Sequence, residues 1–352
     1  MRVLLTGAAG FIGGSIWSSL IDRGHEVTAI DAFLSSAHGE WPEIPPGIER
    51  LDVRSPDGAE HALDGVDVVC HQAAVVGAGV DVQDAAAYAS HNDLGTAVLL
   101  AAMQRTGCQR LVLASSMVVY GDGLYRCEVH GRVDPEPRRH SDLEQGWFDR
   151  RCPHGDETLT WELVGEESAS RPRSLYAASK LAQEHYALAW SLATGGAVTA
   201  LRYHNVYGEG MPRDTPYSGV AAMFRSSLEA GEAPQVFEDG RQTRDFVHVR
   251  DVARANVLAI EATLPGFVAL NVCSGWPITV GDVALDLSRA RHGVAPVVTG
   301  QCRPGDVRHI VADPARARAL LGFEASISPA DGLADFAFAA LRDSTPFGPP
   351  RV

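Results

Sequence analysis

Residues 2–13 read "RVLLTGAAGFIG", and this stretch decides the fold. Arg2 to Thr6 is short and almost wholly apolar, as expected of a strand buried on both faces. Gly7, Gly10 and Gly13 follow at once. Glycines at this spacing allow a tight turn, close approach of the backbone to a pyrophosphate, and close packing of helix on strand. Phe11 and Ile12 open a helix in which Ile12, Ile16 and Leu20 recur every four residues on one face. Its first turn offers free N–H groups and the positive end of a dipole to phosphates.

Outward from this turn, strand and helix alternate. "HEVTAID" (25–31) is the next strand and ends at Asp31, eighteen residues past Gly13. A carboxylate there can bind both ribose hydroxyls of NAD and repels the 2′-phosphate of NADP. Ala32 and Phe33 supply no cation for that phosphate, so NAD is the expected cofactor. Asp52, with Val53 beside it, follows a third short strand, either next to the adenine or as a solvated loop acid. "VDVVCHQAA" (66–74), which carries Ala73 and Ala74, and "RLVLASS" (110–116) read as strands. Between them "NDLGTAVLLAAMQRTG" (92–107) reads as a helix with a glycine stop. The pattern predicts an α/β protein, a doubly wound parallel sheet of Rossmann type with a smaller C-terminal α/β domain. The expected boundaries are 1–206 for the dinucleotide domain and, in the main, 207–352 for the substrate domain.

The chain has 352 residues, 45% of them hydrophobic and 21% charged, with a net charge of −14 and a pI near 5.3. An acidic body repels nucleic acid and anionic membrane, and neither is an expected partner. No run approaches the ~20 apolar residues of a membrane span. The N-terminus enters the first strand directly, so a cytoplasmic location is expected. Six cysteines in a chain of this size imply free thiols rather than a disulfide framework.

In "SLYAASKLAQEHY" (174–186), Lys180 is the chain's only lysine. Tyr176 and Lys180 stand at i and i+4, so on a helix they share a face about 6 Å apart. An ammonium beside a phenol favours the phenolate, which then serves as a general base. A surface helix pair is the plainer reading of the same spacing.

The segments "TGAAGFIG" (6–13), "LASSMVVYG" (113–121), "YAASK" (176–180), "LRYHNVYG" (201–208), "RDFVHVRDVA" (244–253) and "RPGDVRH" (303–309) occur in this order. In them the chain resembles the extended short-chain dehydrogenases/reductases that act as nucleotide-sugar epimerases and dehydratases. The resemblance implies a tightly bound NAD, a nucleoside diphosphate sugar as substrate, and a homodimer formed through helices near 93–106 and 178–193. It implies Ser116, Tyr176 and Lys180 as the catalytic set. For the cofactor it implies Gly7, Gly10, Phe11, Ile12, Gly13, Asp31, Asp52, Val53, Ala73, Ala74, Asn92, Tyr176, Lys180 and Tyr203. For the substrate it implies Ser116, Met117, Asn205, Val236, Phe237, Arg244, Arg303 and Asp306. Two forked guanidiniums, Arg244 and Arg303, are apt for a diphosphate. Val236 and Phe237 either pack on a pyrimidine or form a buried edge strand.

Family dehydratases carry an Asp-Glu pair directly after the serine, where this chain has Met117 and Val118. Neither can move a proton, so oxidation and return of hydride at C4, a 4-epimerisation, is the expected reaction. A dTDP-6-deoxyhexose or a UDP-hexose would be its substrate. A non-enzymatic NAD-binding regulator would not be expected to keep Ser116, Tyr176 and Lys180 together.

One departure from the family is the long polar segment 121–173. Cys127, His130, Cys152 and His154 give it the donor types of a zinc knuckle, although Cys152-x-His154 is tighter than usual. The other reading is a lid over the active-site mouth, anchored by Trp147, Phe148 and Trp161.

Overall fold

The structure, a computed structural model, describes residues 1–40, 42–77, 81–213, 219–303 and 305–342. The last ten residues of the expected 207–352 domain, and Pro304 of "RPGDVRH", lie outside the described residues. Seven strands form one parallel sheet. Its order across is Phe267–Val272, Ala197–Tyr203, Arg110–Ser116, Val68–His71, Arg2–Thr6, Glu26–Asp31 and Ile48–Arg50. Val3, Leu4 and Leu5 of the opening strand are fully buried, because helices cover both faces. One apolar cluster lies under each face, the first centred on Ile16, Leu20, Val252 and Ile260, the second on Leu99, Leu100, Met103 and Leu111.

The order of strands reverses between Arg2–Thr6 and Val68–His71. In open sheets of this type the crevice at the reversal, beyond the carboxyl ends of the strands, is where ligands bind. Register places Ser116 opposite Tyr203 and Thr6 opposite His71, so all four stand at that edge. The helix Leu175–Thr194 is started by Ser174, whose hydroxyl accepts from the Ala177 amide at 3.2 Å, and stopped by left-handed Gly195.

The chain leaves the large sheet after Tyr203, returns to it with helix Val249–Glu261 and strand Phe267–Val272, and leaves again. The excursions build a small lobe around Tyr207, Phe246, Leu287 and Phe336. Residues 121–173 hold a three-stranded antiparallel sheet of Leu124–Cys127, Gly131–Val133 and Thr160–Glu162.

Candidate active site

The glycine turn has the shape a dinucleotide needs. Gly7 has φ +69°, and a Cβ there would lie 2.7 Å from the Ala73 amide nitrogen; a Cβ on Gly13 would collide with the Gly7 carbonyl. Gly10 precedes the helix Phe11–Asp22 without a side-chain cap, which leaves first-turn N–H groups free for phosphate. Asp31 is fixed at the end of its strand, accepting from the Ala9 amide at 3.1 Å and the Phe33 amide at 2.8 Å. Burial works against its charge, but His38 and these amides win and hold its carboxyl below the ordinary range. The residues at this turn therefore fit NAD.

Other expected cofactor residues are already partnered. Asp52 is gripped by Arg54 through contacts of 2.6–3.0 Å, which hold its acidity strong, and Val53 packs in the core. Asn92 is fully buried; it binds both the amide and the carbonyl of Val75 and donates to Ser179 at 2.9 Å. Its role is to hold the segment after strand Val68–His71 against the Leu175–Thr194 helix. Ala73, before Ala74, donates its amide to Thr6 Oγ1 at 3.1 Å. The Tyr203 hydroxyl sits in a buried network with Gln72 and Asn256.

Ser116, Tyr176 and Lys180 meet at the sheet edge. Lys180 is buried and donates to the Ala114 carbonyl at 3.0 Å, with its Nζ 6.0 Å from the Tyr176 ring centre. Burial brings its pKa down to about 8, against the pull of Glu184. The sequence reading has the ammonium lowering the Tyr176 pKa. Here burial instead raises the phenol, and the hydrogen bond with Ser116 only partly offsets this. Burial pushes both groups toward their neutral forms. Ser116 starts the turn Met117–Tyr120, and that turn packs with Leu124, Val164, Val307 and Ile310.

The contact of this turn with Val307 and Ile310 brings the 303–309 segment, which carries several of the expected substrate residues, close to the Ser116 turn. Arg303 stacks on the Phe237 ring at 4.8 Å, and Val236 is buried beneath in a short strand paired with Val297–Val298. Arg244 donates to the Thr243 carbonyl at 2.9 Å and the Arg308 carbonyl at 3.0 Å, and burial brings its pKa down to about 10. Asp306 is raised by burial, with Arg303 opposing. The Asn205 side-chain oxygen is buried with no partner among the described residues, an acceptor left open to a ligand.

Sequence reasoning missed the charge network at this junction. Arg308 is fully buried and reaches Glu238 at 2.8 Å, Asp239 at 2.7 Å and Asp149 at 2.7 Å. Arg138 of the 121–173 segment donates to Glu238 at 2.6 Å and to the Asp306 carbonyl at 2.7 Å. These partners are far apart in sequence and share no motif. Phe148 is buried and Trp161 stacks on His309, as lid anchors would. Trp147 is 54% exposed, with Arg151 over its ring at 4.1 Å, too open for an anchor. All six cysteines are free thiols, as expected. Of the expected metal donors, Cys127, His130 and Cys152 cluster, whereas His154 lies outside; Glu157 takes the fourth place.

Glycine turn, buried Tyr–Lys pair and strand-end serine together are the fold and site of NAD-dependent nucleotide-sugar epimerases. The chain belongs to the NAD dependent epimerase/dehydratase family, whose model matches residues 3–141 and 152–273, and it is an enzyme of that family. It is 31% identical over 351 residues to a dTDP-L-rhamnose 4-epimerase of Burkholderia thailandensis, covering 95% of this chain and 93% of the relative. Among solved structures it resembles the UDP-glucose 4-epimerase of Thermus thermophilus in complex with NAD, at 31% identity and TM-score 0.75, over 96% of this chain and 98% of that one. It also resembles the Thermotoga maritima UDP-glucose 4-epimerase with UDP-glucose, at 28% identity and TM-score 0.78, over 96% and 97%. No helix among the described residues is long and apolar enough to cross a membrane.

Proposed function

We propose that the protein is a 4-epimerase of a nucleoside diphosphate sugar, acting on a dTDP-6-deoxyhexose such as dTDP-L-rhamnose. The observation that carries the reaction type is the Ser116, Tyr176 and Lys180 cluster, followed in the chain by Met117 and Val118 instead of proton-moving carboxylates. The likeness to the Burkholderia relative along nearly the whole chain supports the sugar. The UDP-glucose of the Thermotoga neighbour supports a UDP-hexose as second reading.

When bound at the glycine turn, NAD supplies the acceptor and donor of hydride, and its nicotinamide charge favours the phenolate. Tyr176 takes the proton of the C4 hydroxyl and later returns it, while Ser116 holds the C4 oxygen. Lys180, fixed by the Ala114 carbonyl, keeps a positive charge near the phenol as that proton leaves. Arg244, Arg303 and Asn205 hold the diphosphate, Phe237 and Val236 pack on the base, and Asp306 takes the nucleoside ribose. The grip must fall on the nucleotide so that the hexose can turn and present its other face. Exposed Tyr186, Leu188 and Leu192 on the Leu175–Thr194 helix support a homodimer, and the free thiols support a cytoplasmic location.

The test is incubation of the purified protein with dTDP-L-rhamnose, no cofactor added, followed by NMR of the sugar. The C4 epimer should appear, and Tyr176→Phe and Lys180→Met should abolish it. Turnover of a UDP-hexose alone would keep the mechanism and change the substrate. No turnover of any nucleotide sugar, even with NAD supplied, would sink the reading.

A further inference from the structure

The 121–173 segment carries a second centre that the epimerase chemistry does not use. Strands Leu124–Cys127 and Gly131–Val133 form a hairpin, with Cys127 opposite Gly131 and His130 in the turn. A second hairpin runs from Arg150 to Leu159: the Leu159 amide donates to the Arg150 carbonyl at 2.8 Å, and the Cys152 amide to the Glu157 carbonyl at 2.8 Å. The two hairpins set four donor atoms against each other. His130 Nδ1 lies 3.4 Å from Cys127 Sγ and 3.3 Å from Cys152 Sγ, and a Glu157 oxygen lies 3.8 Å from Cys127 Sγ. All four donor atoms fall within 4.8 Å of one another.

Three of the six donor–donor distances, 3.3, 3.4 and 3.8 Å, are those of a coordination tetrahedron. Bonds of about 2.3 Å to sulfur and about 2.0–2.1 Å to nitrogen or oxygen at tetrahedral angles put neighbouring donors roughly 3.6 Å apart. We propose that Cys127, His130, Cys152 and Glu157 bind one structural zinc ion. Two soft thiolates with an imidazole and a carboxylate, closed to tetrahedral spacing, suit zinc rather than magnesium or calcium. Binding would expel the two thiol protons to solvent. Gly155 lets the second turn close, since a Cβ there would collide with the Glu157 carboxylate. His154 packs its ring edge-on against His130 at 5.5 Å and stays outside the ligand set.

The small core explains the need. Beneath the four donors lie only Tyr125, Leu159, Val133 and Trp161. An apolar cluster that small does not hold two hairpins without a staple. The stapled hairpin begins with Asp149, which pairs with Arg308, and Arg150, which pairs with Asp122 at 2.7 Å. The ion thereby positions the wall of the nucleotide-side junction without touching the reacting atoms.

The test is the zinc content of the full-length protein, purified and then dialysed against zinc under reductant. About one zinc per chain is expected, falling about tenfold or more in Cys127→Ser and unchanged in His154→Ala. Less than about a tenth of an equivalent in the wild type, or a Cys127–Cys152 disulfide found by peptide mass under these conditions, would overturn the proposal. If the cysteine variants do not fold, cobalt replaces zinc in the wild type. Thiolate-to-cobalt charge transfer with strong tetrahedral d–d bands supports the site, and their absence overturns it. Zinc removal should raise KM for the nucleotide sugar without releasing NAD. The metal stoichiometry stands whatever the sugar proves to be.

Discussion

The turn from Gly7 to Gly13 is shaped by glycine backbone and tied down by few side chains, Asp31 on the Ala9 amide and Arg342 on the Ala9 carbonyl, whereas the junction of residues 138–150 with 237–239 and 303–309 is held by a network of buried charge. In the first, three glycines and one strand end suffice, because a phosphate is met by free N–H groups that any chain possesses. In the second, Arg308 and Arg138 lie among Glu238, Asp239 and Asp149, and each must find partners 69 to 159 residues away. A backbone cradle serves every substrate of such a fold. A charge-fastened wall can differ between relatives without disturbing the sheet, and there substrate choice can change.

The comparison breaks most sharply at the chemistry, where the two regions meet. Tyr176→Phe removes the group proposed to take the C4 proton, so kcat should fall by about 10³-fold or more with KM little changed. Steady-state kinetics checks this, and residual turnover near wild type would remove Tyr176 from the mechanism. The next effect falls on the charged wall. Arg308→Met leaves Glu238 and Asp239 without their shared cation, and should cost about 3 kcal/mol in urea unfolding while raising KM for the sugar. A neutral result would mean that Arg138 alone satisfies Glu238. The cradle should respond less in stability and more in binding. Gly7→Ala forces a side chain into φ +69° against the Ala73 amide, at about 1–2 kcal/mol plus a shifted turn. The purified variant should have lost its NAD absorbance while keeping a cooperative unfolding transition.

Legibility in the sequence followed the same divide. The parallel sheet, the glycine turn, Asp31, and the helix carrying Tyr176 and Lys180 were readable because each is written within a few neighbouring residues. Asn92 was readable as a residue near the cofactor but not as a clamp, since its partners Val75 and Ser179 are set by tertiary packing. Glu157 was missed as a donor because it enters the cluster across a hairpin, at no standard ligand spacing. Arg138 drew no reading and Arg308 none beyond its place in the 303–309 segment, because only the fold brings them to Glu238. Trp147 looked like an anchor by composition, yet it points to solvent.

Lys180 gives the smallest effect, and the one whose sign is least obvious. Burial brings its folded pKa down to about 8, below the 10.5 of an exposed lysine. Below pH 8 both folded and unfolded chains carry the proton, and the folded state bears the full cost of burying the charge. Between pH 8 and 10.5 the unfolded chain binds more protons at this site than the folded one, so this residue's contribution makes stability rise with pH. Above pH 10 the buried tyrosines reverse the trend, because Tyr176 and Tyr203 keep their protons when folded and lose them when unfolded. Buried Cys70 and Cys273, which keep their protons in the fold, already pull stability down with pH from about 8.5, so Lys180 is isolated by the difference between wild type and variant over the window pH 8 to 9.5. Urea unfolding across it should show stability gaining with pH in the wild type relative to Lys180→Met, which lacks the titrating group. Parallel profiles for the two proteins would mean that Lys180 keeps its charge in the folded enzyme, with its cost met by groups beyond Glu184. In catalysis the sign reverses. The rise that relieves the folded chain strips the charge from beside Tyr176, so kcat/KM should fall above about pH 8 while stability is still increasing.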